Sequence, residues 1–562
     1  MTQITSRQFR TGPESPHWPG GFAAHIEVPE GNAALNLEAS ARRWPTRPAL
    51  HYYGQTTLYA DLQAQVVALA GYLLHLGVAQ GDRVLLYMQN APQFVIAFHA
   101  ILRTNAIVVP VNPMNKTDEL LHYAQDSGAR VAFVGDELLE RARPLKGAPL
   151  DHLIVAYYAD AAPETPLDPL PPVMQAARTR LEPWGEVDFN VALDAGHVAG
   201  PITTGSNDIA VMPYSSGTTA RPKACMHRHS TVTFTAAAQA KWYGLDQTSV
   251  MTSFMPLFHV AGMQASMSAG IFTGAALVLM TRWDRNIIPA LFTRHKVTWW
   301  SAAPTMIVDV MASARFDPIC FEWLKVLTGG GASMPAAVSA RLQDRYDLRF
   351  CEGYGLTETL SATHINPTAN PKPQCLGIAI FDTSSIIVDP VTLAELPQGE
   401  TGEILVAGPQ VMAGYWNRPE DTADALITRD GEVWLRTGDL GYVDEEGYFF
   451  IQDRLKRMIN VSGYNVSPAE CEMLLYRHEA VQECCVISTP DPYQGEAVKA
   501  LIVLEPEQEG RIDAAQILDF ARSQMAAYKL PKHVVFVPSL PRSGTTKVDW
   551  RALQDAEWKG RQ

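Results

Sequence analysis

Segments with helical and extended patterns alternate through the first part of the chain, and this alternation restricts the fold more than any other sequence feature. Apolar residues recur at helical spacing from Leu62 to Leu76. Beyond them, short apolar runs typical of strands alternate with helix-like stretches: Val84–Met88, Gln93–Leu102, Ile107–Val111, a helix from Asp118, and Val131–Val134. Strands that alternate with helices form parallel sheets covered on both faces, so the pattern predicts an α/β fold.

The later part of the chain has a different pattern and indicates further subdivision. Residues from about 144 to 186 are rich in Pro and Ala, and we expect a surface excursion there. Three Gly-punctuated strand patterns (GEILVAGPQV, VWLRTGDLGYV and GYFFI) precede a charged cluster at Asp453–Arg457. We predict a large N-terminal domain (1–453) of α/β subdomains with mostly parallel sheets plus a β-rich subdomain, a hinge (454–457), and a small α+β C-terminal domain (458–562).

Composition and charge exclude several classes of function. The formal net charge of -14 disfavours a nucleic-acid partner, because phosphate backbones require a basic face. Seven cysteines without metal-ligand spacing, and an N-terminus without an apolar signal segment, predict a cytoplasmic protein. Val260–Met280 is uncharged over the length of a membrane span, but its small and polar residues favour a buried helix followed by a strand at Ala275–Met280. We expect no integral membrane span, and the sequence leaves a homodimer open.

The segment from Tyr214 to Lys223, YSSGTTARPK, has the composition of a phosphate-binding loop. Small hydroxyl residues and Gly let backbone amides and hydroxyls surround phosphate oxygens, and the lysine adds a positive charge. The loop is not a Walker A motif, because Lys223 follows Pro222 and the required glycine spacing is absent. A Ser/Thr-rich surface loop is the alternative. The residues expected to bind phosphate are Ser215, Ser216, Gly217, Thr218, Thr219 and Lys223.

This loop resembles the phosphate-binding signature of the AMP-forming acyl-CoA synthetase, adenylation-domain and luciferase superfamily. Seven further stretches match that family in order over nearly the whole chain: FHVAG (258–262), GGGAS (329–333), YGLTET (354–359), GYWNRPEDT (414–422), RTGD (436–439), RLKRMINVSGYNVSPAE (454–470) and PRSGTTK (541–547). The resemblance implies an enzyme that activates a carboxylic acid with ATP as an acyl-adenylate and then transfers the acyl group to coenzyme A. It also implies that the small domain is mobile.

The resemblance assigns roles around the nucleotide. Thr357 would contact the α-phosphate, and Glu358 would hold Mg²⁺, with Thr218 as a second candidate; a carboxylate oxygen is a suitable hard ligand for this ion. Asp439 matches the carboxylate that accepts the ribose hydroxyls. The other expected nucleotide contacts are Arg454 at the ribose and two Gly-rich segments, namely Gly330, Gly331 and Ala332 with Glu352, Gly353, Tyr354 and Gly355.

The catalytic lysine of the family is matched by Lys547, in the small domain. A cation there stabilises the charge that builds as the carboxylate attacks phosphorus. Lys456 matches the hinge about which the small domain turns between adenylation and thioester formation. Gly463 and Tyr464 match the loop that meets the pantetheine arm of coenzyme A.

His259 lies where the family has an aromatic residue or a histidine beside the acyl carboxylate, and we count it among the catalytic residues. The expected acyl pocket consists of His259, Ala261, Gly262, Met263, Ala265 and Gly329. Its small side chains leave room, and methionine adapts its shape. Trp299 and Trp300 either extend this pocket or fill the core. We expect a medium- or long-chain fatty acid, with an aromatic carboxylic acid as the alternative.

The acceptor and the type of activity have alternatives within the same fold. No carrier-protein domain follows the small domain, which favours free coenzyme A over a separate carrier protein. A luciferase-like oxygenase and an inactive nucleotide-binding regulator are the remaining alternatives; the presence of Lys547, Glu358 and Asp439 disfavours the regulator. Three residues replace the usual glycines, Ala220, Ala224 and Thr546, and at a site that needs positive φ each would cost of order 1 kcal/mol.

Overall fold

The computed structural model describes residues 16–215, 222–330, 334–461, 464–491, 495–542 and 547–559. Side chains at 456, 464 and 465 are outside the description. The chain forms two compact units. The first contains Met1–Ser385, Val406–Arg436 and Glu446–Tyr448, and the second contains Ile386–Leu405, Thr437–Glu445 and Phe449–Gln562.

Two large sheets form the first unit, and most of their strands are parallel. In spatial order, the strands of one sheet are Ile378–Ala379, Ala362–Ile365, Phe350–Gly355, Val326–Gly330, Trp299–Ser301, Val250–Ser253, Ala276–Leu279, Pro48–Tyr52 and Gln55–Leu58. Those of the other are Gly414–Tyr415, Lys223–Arg228, Ile209–Val211, Ile107–Pro110, Arg83–Tyr87, Val131–Gly135, His152–Ala156 and Glu186–Asp188, with Tyr214–Ser215 beside Lys223–Arg228. The antiparallel pairs lie towards the sheet edges.

Helices of the first unit follow the predicted periodicity. Helix Tyr59–His75 buries Leu62, Val66, Leu69 and Leu73 at helical spacing. The α-helices are Ala34–Arg43, Tyr59–His75, Pro92–Arg103, Thr117–Ser127, Leu139–Ala142, Pro172–Gln175, Phe189–Asp194, His229–Trp242, Ala269–Thr273, Ile288–His295, Pro304–Met311, Ala336–Tyr346 and Pro419–Ala425, and Ala261–Ser268 is a π-helix. Among the described helices, none combines the length and the apolar character that crossing a bilayer requires.

A five-stranded antiparallel sheet follows along the chain, and some of its strands belong to the second unit. The strands of this sheet are Ser384–Val388, Gly402–Ala407, Leu426–Arg429, Glu432–Val443 and Phe449–Arg454. In the second unit, Asp439–Val443 pairs with Phe449–Arg454. The last sheet contains Tyr464–Val466, Ile459–Val461, Gly495–Leu504, Val481–Asp491 and His533–Phe536, and helices Pro468–Leu475, Ala514–Gln524 and Trp550–Lys559 accompany it. Its apolar core, which includes Val466, Cys471, Leu475, Val486 and Ile502, is called the small-domain core below.

The predicted α/β architecture, with mostly parallel sheets, a β-rich part and a small C-terminal α+β part, is confirmed. The charge-free stretch Val260–Met280 is the expected buried helical segment followed by the strand Ala276–Leu279. The surface excursion predicted for 144–186 is wrong at His152–Ala156, which is a buried parallel strand beside Val131–Gly135. The domain boundary at 454–457 stays a prediction.

Candidate active site

The predicted phosphate loop connects the two strands of a short antiparallel pair. Ser215 lies opposite Lys223 in this pair, and Tyr214 lies opposite Ala224. Ala224 is buried in an extended strand, so its side chain introduces no left-handed strain. The predicted ligands Ser216, Gly217, Thr218 and Thr219, together with Ala220, lie outside the described residues.

Lys223 has a protein partner in the first unit. Its ammonium group forms an ion pair with Asp421, on helix Pro419–Ala425, and lies 5.3 Å from the centre of the Tyr415 ring. The lysine side chain is only 13% exposed. Asp421 and Tyr415 lie in the family-like segment GYWNRPEDT, but the sequence predicts a role for neither residue. Their contacts depend on the fold bringing residue 223 next to residues 415–421, which no local pattern reveals.

Glu358 is held by the same segment. The Tyr415 hydroxyl donates to Glu358 Oε1 at 2.9 Å, and the backbone amide of Met412 donates to the Glu358 carbonyl at 2.9 Å. Burial, followed by the negative charge of Glu358, raises the pKa of Tyr415, so the phenol remains a hydrogen-bond donor. Glu358 itself is half-buried. Its carboxylate is therefore oriented by the protein and still accessible to a ligand.

A buried histidine supports Thr357. His227 Nε2 donates to the Thr357 carbonyl oxygen at 2.8 Å. Burial lowers the pKa of His227 to about 4, so the ring is neutral near pH 7, and the bond to Thr357 only partly opposes this effect. This histidine fixes the turn Thr357–Thr359 through its backbone. The sequence gives no sign of this role, because a histidine in the strand that follows the loop carries no motif of its own.

The two Gly-rich segments end neighbouring parallel strands, with Gly329 opposite Glu352 and Gly330 opposite Gly353. A Cβ added to Gly330 would lie 2.3 Å from the Gly353 carbonyl oxygen, so glycine is required for this close approach. The predicted residues Gly331 and Ala332 lie outside the described ranges. Gly355 is exposed at the strand end, whereas Tyr354 is largely buried.

Glu352 has a structural function that its motif did not indicate. Its Oε1 accepts hydrogen bonds from the backbone amides of Met334 and Gln374, at 3.2 and 3.1 Å, and the residue is only 5% exposed. The carboxylate thus joins two loops. The predicted contact of Glu352 with the nucleotide stays a prediction, which this burial does not favour.

The π-helix presents small residues on its accessible side. His259 Nδ1 accepts from the Ala261 amide at 3.2 Å, and Ala261 and Ala265, one π-turn apart, keep partial exposure. Position 262 faces the protein instead, because a Cβ added to Gly262 would lie 2.2 Å from the Pro256 carbonyl oxygen. Met263 is fully buried. Within this part of the predicted pocket, Ala261 and Ala265 are the residues that a ligand could contact, because they are partly exposed.

The two neighbouring tryptophans belong to the core. Trp299 and Trp300 are 1% and 0% exposed in the strand Trp299–Ser301. The Trp300 ring packs edge-on against Phe292, with ring centres 5.1 Å apart. Of the two interpretations left open by the sequence, the structure favours core filling.

Three predicted residues from distant motifs converge in the second unit. Asp439 is 0% exposed and lies opposite Arg454 across paired strands; Arg454 Nε is 2.8 Å from Asp439 Oδ1. The Asp439 amide is held by the Thr437 hydroxyl at 3.1 Å. Lys547 belongs to the same group. Desolvation by the surrounding protein and then the charge of Arg454 lower the pKa of Lys547, whereas Asp439 opposes the change. The side chain of Lys547 nevertheless keeps contact with solvent.

The predicted hinge lies in a single 3₁₀ turn, Leu455–Arg457, which includes the backbone of Lys456. Tyr464 begins the next strand and pairs with Val461, but its side chain is not described. Gly463 and Thr546 lie outside the described residues. The roles of Lys456, Gly463 and Tyr464 therefore remain predictions.

Comparison with known proteins agrees with this arrangement. Residues 37–416 match the family model for AMP-binding enzymes, and residues 470–547 match the model for the AMP-binding enzyme C-terminal domain. A long-chain-fatty-acid–CoA ligase of Bacillus subtilis (strain 168) is 33% identical over 96% of this chain and 97% of its own length. A feruloyl-CoA synthase of an Amycolatopsis species is also 33% identical, over 90% of this chain and 95% of its own.

A solved structure supports the same assignment. The crystal structure of ATP-bound MatB from Rhodopseudomonas palustris has a TM-score of 0.81 and 26% sequence identity, and the match covers 93% of this chain and 99% of that one. The family models, the relatives and the fold therefore agree with the motifs. The chain belongs to the AMP-binding enzyme family and is an adenylate-forming acid–thiol ligase.

Proposed function

We propose that this enzyme activates a medium- or long-chain fatty acid with ATP and transfers the acyl group to coenzyme A. The observation that carries the nucleotide part of the proposal is the grouping of Asp439, Arg454 and Lys547 in the second unit. These residues come from three separate motifs, and each was predicted to act on the same nucleotide. A buried carboxylate that is paired with a guanidinium still has further lone pairs, and it is a suitable acceptor for a vicinal diol.

The proposed reaction has two steps. In the first, a carboxylate oxygen of the acid attacks the α-phosphorus of ATP, the bond from that phosphorus to the β-phosphate oxygen breaks, and pyrophosphate leaves. Lys547 stabilises the negative charge that develops in this step. In the second, the sulfur of coenzyme A attacks the acyl carbon, the bond to the adenylate oxygen breaks, the thiol proton passes to solvent, and AMP leaves.

The residues present fit a magnesium ion bound together with ATP. Within the described ranges, no cluster of three or more His, Cys, Asp or Glu residues could hold a metal by itself. Mg²⁺ in nucleotide sites usually needs only one or two carboxylates, because phosphates and water complete its shell. Glu358, held on one oxygen by Tyr415 and half-buried, suits this role. The ion would screen the charge of the triphosphate.

The fatty-acid assignment rests on the π-helix that follows His259. The accessible positions of this helix carry only the methyl groups of Ala261 and Ala265, so its partly exposed surface is apolar and has small side chains. An alkyl chain needs no polar partner there, and its burial is favoured by the hydrophobic effect. Because one relative is a feruloyl-CoA synthase, an aromatic acid is the competing candidate for the substrate.

Tyr415→Phe tests the support of Glu358. Loss of the donor to a half-exposed carboxylate should slow adenylation by about five- to tenfold and raise the Mg²⁺ concentration needed for half-maximal rate, because the carboxylate loses its fixed orientation. Pyrophosphate release measured across a magnesium titration checks this. Tyr158→Phe is the matched control, since it removes another tyrosine–glutamate hydrogen bond, with Glu137, in the same unit. An identical magnesium dependence in Tyr415→Phe and wild type would remove Glu358 from the metal site.

Ala261→Trp tests the acyl pocket. A large ring at this position should move the preferred acid towards shorter chains and leave ATP affinity unchanged, because it fills the space in front of the π-helix. Rates over acids of increasing chain length measure the effect. Gly262 is unsuited to such a test, because any side chain there would collide with Pro256. An unchanged chain-length profile would place Ala261 away from the acyl chain.

The experiment that tests the proposed function is isotope exchange between pyrophosphate and ATP, screened over aliphatic and aromatic acids without coenzyme A. Exchange should depend on the acid and be fastest with medium- or long-chain fatty acids. Addition of coenzyme A should then yield the acyl thioester and AMP. Fastest exchange with aromatic acids would overturn the fatty-acid assignment, and thioester formation only on a phosphopantetheinylated protein would overturn the acceptor.

A further inference from the structure

The contacts of Arg454 and Arg457 indicate which part of the turn Leu455–Arg457 can rotate. This part, Leu455–Lys456, is called the joint below. Upstream, Arg454 is fixed to the neighbouring strand by its pairing and ion pair with Asp439. Downstream, Arg457 forms an ion pair with Glu472 and donates to the Val486 carbonyl at 3.2 Å. These two partners belong to helix Pro468–Leu475 and to a strand of the small-domain core. The chain between the two anchors, Leu455–Lys456, is therefore the segment free to change its backbone angles.

The Asp453 side chain spans this joint. Asp453 lies at the end of strand Phe449–Arg454, upstream of the joint. Its Oδ2 accepts from the Ser467 hydroxyl at 2.6 Å and from the Ala469 amide at 2.9 Å, and both donors lie downstream of the joint. Asp453 thus binds the N-terminus of helix Pro468–Leu475, which is packed into the small-domain core.

The contact is buried, and Asp453 and Ser467 each form a further hydrogen bond on their own side of the joint. Asp453 is 4% exposed and Ser467 is 9% exposed. Oδ1 of Asp453 accepts from the Arg454 amide at 2.7 Å, while the Ser467 hydroxyl also accepts from the Glu470 amide at 3.2 Å as the helix N-cap. A carboxylate that accepts amide hydrogens at a helix N-terminus is favoured by charge and by the helix dipole.

A rotation at Leu455–Lys456 must break this contact, because its acceptor stays with the upstream strand and its donors move with the small-domain core. We propose that Asp453 is a positioning residue that latches the small domain in the arrangement that forms the adenylate, and that the latch opens for thioester formation. This inference rests on the proposed function. It adds a residue that selects between the two half-reactions without touching either substrate.

The test compares the two half-reactions in the full-length enzyme. Adenylation is followed by pyrophosphate–ATP exchange, and thioester formation by single turnover of pre-made acyl-adenylate with coenzyme A. In Asp453→Ala, the ratio of the thioester rate to the adenylation rate should rise about tenfold, the shift expected for about 1.4 kcal/mol lost from one arrangement only. Ser467→Ala removes one of the two bonds to Asp453 and should shift the ratio in the same direction by a smaller factor.

Asp513→Asn is the matched control. Asp513 caps helix Ala514–Gln524 through the Gln516 amide, at 2.9 Å, but it does not span the joint. Its replacement should leave the ratio at the wild-type value even if it lowers stability. A ratio that is unchanged in both Asp453→Ala and Ser467→Ala, or that shifts equally in Asp513→Asn, would overturn the latch.

A second measurement needs no activity and separates the latch from the proposed function. Spin labels at Glu400→Cys and Ala515→Cys lie at exposed positions on opposite sides of the joint, and the seven native cysteines are all buried. Asp453→Ala should add a second population to the distance distribution of the labelled protein. If the unlabelled wild-type enzyme showed no pyrophosphate–ATP exchange in the presence of any acid, the proposed function would fail. The distances would still show whether Asp453 latches the small domain. Identical distributions with and without Asp453 would overturn it.

Discussion

Lys547→Ala should slow adenylate formation by about 10²–10³-fold, the effect typical of removing one preorganised group opposite developing charge. The same variant, given pre-made acyl-adenylate, should form thioester at a near-normal rate, because the proposed role of position 547 is confined to the first step. Pyrophosphate–ATP exchange and single-turnover thioester formation measure the two effects. Lys559→Ala, which removes an exposed lysine of the last helix, is the control.

The environment of Lys547 adds a pH dependence to this prediction. Desolvation and Arg454 lower the pKa of Lys547, so the ammonium group loses its proton at a lower pH than an ordinary lysine. Adenylation requires the cation, and its rate should therefore fall as pH rises through this lowered pKa. Lys547→Arg should move that fall to higher pH, since a guanidinium keeps its charge. Equal loss of both half-reactions in a folded Lys547→Ala variant would contradict a role confined to adenylation.

Asp439→Ala should weaken ATP binding by about 1.5–3 kcal/mol, the range for hydrogen bonds to a charged group, which is roughly ten- to 150-fold in Kd. The structural reason is that Asp439 is fully buried and paired with Arg454. Its removal takes away the proposed acceptor for the ribose hydroxyls, and Arg454 loses the carboxylate with which it is paired. Calorimetry with a non-hydrolysable ATP analogue measures the change.

Two controls make the Asp439 result specific. Glu445→Ala removes an exposed carboxylate from the turn that follows the same strand and should leave ATP affinity unchanged. Asp439→Asn keeps one oxygen acceptor and should lose less affinity than Asp439→Ala. ATP binding at wild-type strength in a folded Asp439→Ala variant would mean that the buried carboxylate serves the fold alone.

Local periodicity predicted much of the fold, because amphipathic helices and buried strands leave regular patterns in the sequence. Helix Tyr59–His75 and the parallel strands at residues 83–87, 107–110 and 131–135 follow those patterns closely. Strand His152–Ala156 escaped prediction, since the Pro- and Ala-rich residues around it hide a short apolar run. Its strand character depends on pairing with Val131–Gly135, which lies outside any local window.

The same distinction applies to the candidate site, where some residues could be predicted from the sequence and others could not. Motif residues with proposed direct roles, such as Asp439, Arg454 and Lys547, were predicted, and the structure brings them together. His227 and Tyr415, which hold Thr357 and Glu358, were missed, because each is distant in sequence from its partner. A composition pattern states which side chains are present but not where they point.

The acyl pocket illustrates that limit. The sequence placed Ala261, Gly262, Met263 and Ala265 together as pocket residues. In the structure, Ala261 and Ala265 keep partial exposure on one side of the helix, whereas a side chain at position 262 would meet the Pro256 carbonyl and Met263 is buried. A run of small apolar residues does not specify which of its members face the accessible side, because that depends on how the helix packs against the rest of the fold.

The formation of an acyl-adenylate is the central claim, and the fate of the carboxylate oxygen tests it most directly. The enzyme is supplied with a fatty acid labelled with ¹⁸O in both carboxylate positions, together with ATP, Mg²⁺ and coenzyme A, and the products are analysed by mass spectrometry. Attack of the carboxylate on the α-phosphorus transfers one labelled oxygen to AMP and leaves pyrophosphate unlabelled. Unlabelled AMP, or label in inorganic phosphate formed together with ADP, would contradict the account.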